Sequence, residues 1–402
     1  MNKRWGILAA ALCASLVFGG CQKESLNDGD TGETNTNKTD SKVNEKQSNL
    51  DVLQPLAYGN VNGLNLEPGT TLSIIGRGSS SAYWKEVEAG AKQAVADMNK
   101  ALGYKGEDKV KLTYSAPGTE NDVDDQVNIL DEELARYPAA VGIAAVDSGA
   151  CAVQFDLAAE NNIPIVAFDS GVDYQDIAAM VDTNNLEAAA TAARKLCDSI
   201  DDEGEIALFV HDSKSTSAKE REKGFLDEIT QNHPNVKVVK VYHLDELEEM
   251  QKEIAGVPES GEQPDTEEPA EGADAPESEA DSGSDITQEE VVKYILEKNP
   301  SIKGCYTTNE EAAKLAVEAC ESLEREDMKV ISFDGGKDQL ELLKEEKLEG
   351  LIVQNPYGIG YATVVACARA VLGQGNEAVV DAGYTWVTKD NMEDAPIARM
   401  MY

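Results

Sequence analysis

The sequence predicts an α/β fold of two similar doubly wound parallel-sheet lobes joined by a hinge of several strands. Three observations carry this. From Thr71 onward, short apolar runs alternate with amphipathic stretches of helical period. The run Ala140 to Val146 is apolar without polar alternation, as a parallel strand covered on both faces requires. The alternation then restarts after Asp182, giving more strands than one open sheet ordinarily holds.

Each element follows in order. Leu72 to Ile75 is a strand; Trp84, Val87, Ala91, Ala94, Val95 and Met98 recur at helical spacing behind it. Val110 to Tyr114 is the next strand, followed by a helix through Val127, Leu130 and Leu134. After the strand from Ala140 come a helix from Cys151 to Ala159 and strands Ile165 to Phe168 and Ala178 to Val181. The second half opens with helix Leu186 to Leu196, strand Ile206 to Val210, helix Ala218 to Ile229 and strand Val236 to Val241. Helix Glu289 to Leu296, strand Gly304 to Thr307 and helix Glu310 to Leu323 come next. Strand Val330 to Phe333, helix Gln339 to Glu345, strand Leu351 to Val353 and helix Ile359 to Leu372 complete the pattern.

The N-terminus carries an address. Lys3 and Arg4 precede an apolar run from Ile7 to Phe18, then Gly19, Gly20 and Cys21, which is the architecture of an export signal over residues 1–20. The run is too short to span a bilayer. A cysteine directly after two glycines is the acceptor pattern of a lipoprotein, so Cys21 is expected to be the lipidated first residue of an extracytoplasmic, membrane-anchored protein. Residues 21–69 are expected to form a polar tether, most clearly from Gln22 to Asn49, where apolar residues are scarce. A second low-complexity stretch, residues 256–285, is rich in Pro, Glu, Gly and Ser and is expected to be a disordered acidic insertion. The lobes are expected over 70–181, completed by 355–381, and over 182–354, completed by 382–402.

Composition excludes several functions. With 75 acidic against 35 basic residues the net charge is −40, which opposes binding to nucleic acid or anionic lipid. Of seven cysteines, five remain beyond Cys13 and Cys21, with no C-x-x-C pair; they are expected to be buried small hydrophobes, not a disulfide framework or a zinc site. His211, His233 and His243 show no metal spacing, and no cofactor motif is present.

In open α/β sheets, ligands sit outside the carboxyl ends of the strands. Ser79, Ser80, Ser81, Tyr83 and Trp84 follow the first strand, and Glu120 and Asn121 the second. Asp147 and Ser148, then Asp169 and Ser170, follow the next apolar runs. In the second half Ser213 to Lys219, Asn309, Asp334, and Gln354 with Asn355 hold the equivalent places. Carboxylates accept hydrogen bonds from hydroxyls, amides both donate and accept them, and flat rings cover the C–H face of a sugar. The set suits a small neutral polyol. Singly, such residues are often helix caps; their recurrence at successive strand ends points to a site.

Several segments resemble the type 1 periplasmic sugar-binding proteins, the ribose- and galactose-binding family. S-A-Y-W-K-E-V-E-A-G-A is similar to that family's N-P-F-F opening, and V-D-S-G, I-P-I-V-A-F-D-S and V-D-T-N-N to its later strand ends. S-A-K-E-R-E-K-G-F, T-N-E-E-A-A, S-F-D-G and V-Q-N-P-Y-G-I-G extend the match from about Thr70 to Met392. The resemblance implies a monomeric two-lobed clamp that captures a monosaccharide or small polyol and presents it to an ABC permease, without a cofactor. By position it implies Ser81, Tyr83, Trp84, Asn121, Asp147, Asp169, Lys219, Asn309, Asp334 and Gln354 as ligand-binding residues. The hinge would lie at Val181, Asp182 and Asn355, with a further crossing around Ala382. Three departures stand out: Ser170 and Lys219 where the ribose-binding pattern has Arg, and Ser81 where it has Asn. Lys does not reproduce the rigid fork of Arg, so these departures point beyond D-ribose to other pentoses, hexoses or polyols.

Rival functions stay open to different degrees. Nothing singles out the paired carboxylates of a glycosidase. A repressor of related fold would carry a helix-turn-helix where this chain has its export signal. A sensor role, with the clamp feeding a chemoreceptor or histidine kinase, uses the same surfaces. So does a nucleoside or furanosyl signalling molecule as ligand.

Overall fold

The structure is a computed structural model that describes residues 46–255 and 286–402. The expected export signal, Cys21, the expected tether up to residue 45 and the expected acidic insertion 256–285 lie outside the described residues.

The first lobe runs through β1 (Thr71–Ile75), α1 (Ala82–Leu102), β2 (Lys111–Ser115), α2 (Val123–Ala135), β3 (Ala140–Ile143), α3 (Ala152–Glu160), β4 (Ile165–Phe168) and β5 (Ala179–Asp182). The chain then crosses to α4 (Asn185–Ser199), β6 (Gly204–Val210), α5 (Thr216–Asn232), β7 (Val236–His243) and α6 (Leu247–Ala255). Beyond the insertion, α7 (Gln288–Lys298), β8 (Ile302–Thr307), α8 (Glu310–Ser322), β9 (Lys329–Phe333), α9 (Lys337–Lys344) and β10 (Gly350–Gln354) complete the second lobe. The chain returns through α10 (Pro356–Val371) and β11 (Val379–Asp381), crosses once more to β12 (Tyr384–Val387), and ends in the short α11 (Ala395–Ala398).

The two sheets share one topology. Their orders are β2-β1-β3-β4-β5-β11 and β7-β6-β8-β9-β10-β12, parallel throughout except for the antiparallel β10–β12 pair. In each, strand order reverses beside the first strand of the lobe, so the crevice opens between β1 and β3 and between β6 and β8. Helices on both faces bury two clusters per lobe, one around Leu72, Val87 and Val364 and one around Leu130, Val141 and Phe155 in the first. The central strands are buried end to end, as all four residues of β3 illustrate.

α1 and α10 cross at a contact that only glycine permits. A Cβ at Gly90 would stand 2.0 Å from the Tyr357 carbonyl oxygen, and one at Gly360 would stand 1.9 Å from that of Val87. Backbone cannot give way as a flexible side chain can. Gly360→Ala is therefore expected to lower stability by about 1–3 kcal/mol, measured by urea unfolding. An unchanged midpoint would mean that the crossing relaxes freely.

The described part of the expected tether does not behave as one. Leu50, Leu53, Tyr58, Leu64 and Leu66 are buried in the first lobe's core. Gln54 pairs with Asp381 beyond the end of the sheet, and the Asn49 side chain donates to the Arg399 carbonyl at 2.9 Å. The expectation of a tether to residue 69 is corrected for 49–66, because five large apolar side chains find a groove to fill. Their irregular spacing carried no periodic signal.

Candidate ligand-binding site

A cavity of about 630 Å³ lies between the lobes at the carboxyl ends of the strands. That volume is in the range of small-molecule sites. Of the ten residues expected to bind, eight line it: Ser81, Tyr83, Trp84, Asn121, Asp169, Asn309, Asp334 and Gln354.

Asp169 and Asp334 form a matched pair. Asp169 follows β4 and Asp334 follows β9, equivalent strands of the two sheets. Both have left-handed backbone, with φ of 59° and 81°. Each amide donates to the neighbouring strand, to Val181 O at 2.9 Å and to Ile352 O at 2.8 Å. The strand thus ends in a sharp turn that places a carboxylate at the cavity. Strained non-glycine backbone of this kind is characteristic of functional sites.

The neighbours of each carboxylate fix it. Tyr83 Oη donates to Asp169 Oδ1. Burial pushes the Asp169 carboxyl up, a rise opposed by the Tyr83 hydroxyl and by Arg221. Burial and the facing Asp169 push the Tyr83 hydroxyl well up, so it remains a donor at neutral pH. Gln354 Nε2 donates to Asp334 Oδ1 at 2.7 Å, and Gln354 Oε1 accepts from Thr183 Oγ1 at 3.0 Å. Thr183 lies where the chain leaves β5 for the other lobe, so a hydrogen-bonded path runs from the hinge to Asp334.

Three aromatic rings furnish the apolar wall. Trp84 packs edge-on to Tyr83 at 5.2 Å, and Tyr402 contacts Tyr83 from the opposite lobe at 5.5 Å. Trp84 Nε1 donates to Glu120 Oε1 at 2.8 Å. Ser81 and Asn309 both cap helices, accepting from Trp84 N at 3.4 Å and Ala312 N at 2.8 Å, while still lining the cavity. Cap and site residue are compatible roles.

Asp147 and Lys219 lie off the lining, which corrects the sequence expectation for both. Asp147 Oδ1 accepts from the amides of Gly149 at 2.9 Å and Ala150 at 3.2 Å, closing its own turn. Lys219 is exposed, and its ammonium donates to the Lys214 carbonyl at 2.8 Å. Two residues on, about 200° around the helix, Arg221 is buried at the site. It donates to Asn185 Oδ1 at 2.9 Å and Thr308 O at 2.7 Å, with its guanidinium 4.0 Å from the Phe333 ring centre. The signal was available: Arg221 falls on the apolar face with Ala218 and Phe225.

Sequence reasoning also missed the contacts across the cleft. Arg77, beyond β1, donates through Nη2 to Asp212 Oδ2 beyond β6 at 2.8 Å, and through Nε to Asn121 Oδ1 at 2.9 Å. Both partners of that ion pair are nearly buried. His211 is driven down to about 3 by burial, with Asp212 opposing the shift, so its imidazole is neutral at physiological pH. Glu310 is pushed up to about 7 by burial and by the facing Asp334 and Asp338. Val181 and Asp182 end β5, and Asn355 caps α10 while its Nδ2 donates to Ala382 O at 2.9 Å; all stand where the chain passes between lobes.

A family model described as periplasmic binding protein domain matches residues 72–267 and 269–375. The ribose import binding protein of Bacillus subtilis is 22% identical over 263 residues, spanning 65% of this chain and 73% of the relative. The D-apiose import binding protein of Paraburkholderia graminis is 23% identical over 256 residues, 63% of this chain and 67% of the relative. Among solved structures, a carbohydrate transporter solute binding protein from Agrobacterium radiobacter, in complex with D-arabinose, superposes with a TM-score of 0.65. It is 27% identical and covers 83% of this chain and 99% of its own.

Proposed function

This chain belongs to the periplasmic binding protein family, and on that premise we propose that it captures a monosaccharide or small polyol between its lobes and delivers it to an ABC importer. It is a binding protein of the extracytoplasmic compartment and not an enzyme. The observation that carries the ligand class is the matched pair Asp169 and Asp334, one from each lobe, lining one cavity with Tyr83, Trp84 and Tyr402. Carboxylates accept hydrogen bonds from hydroxyl pairs. A ligand that contacts both lobes binds the closed clamp better than the open one and shifts the population toward it. The relatives that import ribose and D-apiose, and the similar structure in complex with D-arabinose, support the same class.

The anchor belongs to the same proposal. A lipid on Cys21 would hold the clamp near its permease and raise the local concentration of loaded protein there. Among the described residues no helix is long and apolar enough to cross a membrane. The binding unit is taken to act as a monomer.

Thermal-shift measurements against D-arabinose, D-ribose, D-apiose, D-fucose, xylitol and adenosine test the ligand class. A pentose, hexose or polyol at a hundred times its Kd should stabilise by about 2.7 kcal/mol, a shift of several degrees. A response to adenosine alone would assign the cavity to nucleosides and overturn the proposal.

A further inference from the structure

At the opposite end of the second sheet, away from the cleft, side chains of a different chemistry converge. Cys197 is in the last turn of α4, Asp202 in the turn that enters β6, and His233 caps the C-terminus of α5. Among the described residues this is the one group of three metal-ligating side chains whose donor atoms lie within 4.8 Å of one another. No linear spacing announces it, because the three residues come from separate turns.

Backbone holds those turns together. Asp202 N donates to Cys197 O at 2.8 Å, Gly204 N to Asn235 O at 3.2 Å, and Val236 N to His233 O at 3.0 Å. Asp202 Oδ1 lies 2.5 Å from His233 Nδ1. The other ring nitrogen, Nε2, is buried without a hydrogen-bond partner. Its nearest carboxylate oxygen, Glu228 Oε1, is 3.7 Å away, and the second Glu228 oxygen accepts from Arg194 Nη1 at 3.2 Å. Cys197 Sγ, an Asp202 carboxylate oxygen and one ring nitrogen of His233 therefore share one space, while Nε2 faces Glu228 on the other side of the ring from Asp202.

We infer that Cys197, His233 and Asp202 form a site for one divalent transition metal of the zinc class, bound on the Asp202 side of the imidazole with water in the fourth position. Thiolate, imidazole and carboxylate are the donors that zinc takes. Tetrahedral ligands stand about 3.3–3.5 Å apart, so Asp202 must move from His233 by about an ångström. Its side chain is 51% exposed and has the room; the His233 side chain is 13% exposed and stays as the fixed ligand. Binding replaces the thiol proton, which leaves to solvent as the sulfur becomes a metal-bound thiolate. Burial pushes the free Cys197 thiol up to about 12, so without metal the sulfur is an inert, protonated hydrophobe. The site is remote from the sugar cleft and tightens two connecting turns of the lobe.

Titration of the purified full chain with Co²⁺ alone, followed by Zn²⁺ competition, is the test. The expected result is a near-ultraviolet sulfur-to-cobalt band with visible bands of tetrahedral intensity, both abolished by Zn²⁺. Cys197→Ser should remove the sulfur band, and His233→Ala should weaken Co²⁺ binding at least tenfold. Sugar-induced thermal shifts of both variants establish that they are folded. Absence of the sulfur band in the unmodified chain, or its persistence in Cys197→Ser, would overturn the site. Failure of sugar binding would bear on the cleft and not on this metal.

Discussion

Asp334→Ala is expected to weaken sugar binding by about 10- to 150-fold, while Asp147→Ala leaves it within about twofold. The first figure is the loss of a charged, buried hydrogen-bond acceptor, about 1.5–3 kcal/mol. Asp334 lines the cavity, is held by Gln354 Nε2 at 2.7 Å, and matches Asp169 across the cleft. Asp147 spends its carboxylate on the amides of its own turn. Because Asp334 has φ of 81°, alanine there also strains the backbone. Asp334→Asn separates the two effects, since asparagine tolerates left-handed backbone and keeps an oxygen for Gln354. It should fold like the parent and still lose about tenfold, the difference between charged and neutral acceptors. Calorimetric titration with the sugar that gives the largest thermal shift provides the number. Equal losses in the Asp334 and Asp147 variants would remove the strand-end pair as the basis of recognition.

That contrast shows what kind of information the sequence held. Asp169 and Asp334 were legible because an apolar run ending in a carboxylate places that carboxylate at the mouth of a parallel sheet. The same rule named Asp147, but whether such a residue faces the cleft or closes its own turn depends on two φ angles that no composition encodes. Lys219 and Arg221 differ by two positions on one helix, and only the helical phase, readable from Ala218 and Phe225, tells the buried one from the exposed one. Arg77 and Asp212 are 135 residues apart, on different lobes. Neither carries a local mark of its partner, so a contact across the cleft exists only in three dimensions. The long helices and buried strands follow from periodicity. β11 and β12, of three and four residues, and the packed segment from Leu50 to Leu66 are too short or too irregular for a period to register.

Asp182 should contribute a loss of stability as pH rises from about 4 to 8, and Asp182→Asn should remove that contribution. Asp182 ends β5 at the crossing between lobes and lies opposite Asp381 in the ladder. Burial pushes its carboxyl from 3.8 up to about 8, with Glu220, Asp381 and Asp169 adding to the rise and Arg221 opposing it. The sign follows from proton counts. Between pH 4 and 8 the folded chain keeps a proton on Asp182 that the unfolded chain has released, so each step up in pH favours the unfolded state. Below pH 4 both states are protonated and there is no penalty; above pH 8 the penalty is complete. A shift of four units has a ceiling of about 5 kcal/mol, which water entry and small hinge movements reduce. Asparagine fills the same space without a charge to desolvate. Thermal unfolding of parent and variant at pH 5 and pH 8.5 should show similar midpoints at the lower pH and a variant more stable by at least about 3 °C at the higher. Parallel pH profiles would mean that Asp182 ionises without penalty. If the variant is the more stable at pH 8.5, Asp182 carries a proton at neutral pH at the crossing between the lobes, next in the chain to Thr183, whose hydroxyl donates to Gln354. Ligand affinity should then weaken in the parent, and not in the variant, as pH passes 8, because the ionised hinge opposes the arrangement that holds Asp334 in place.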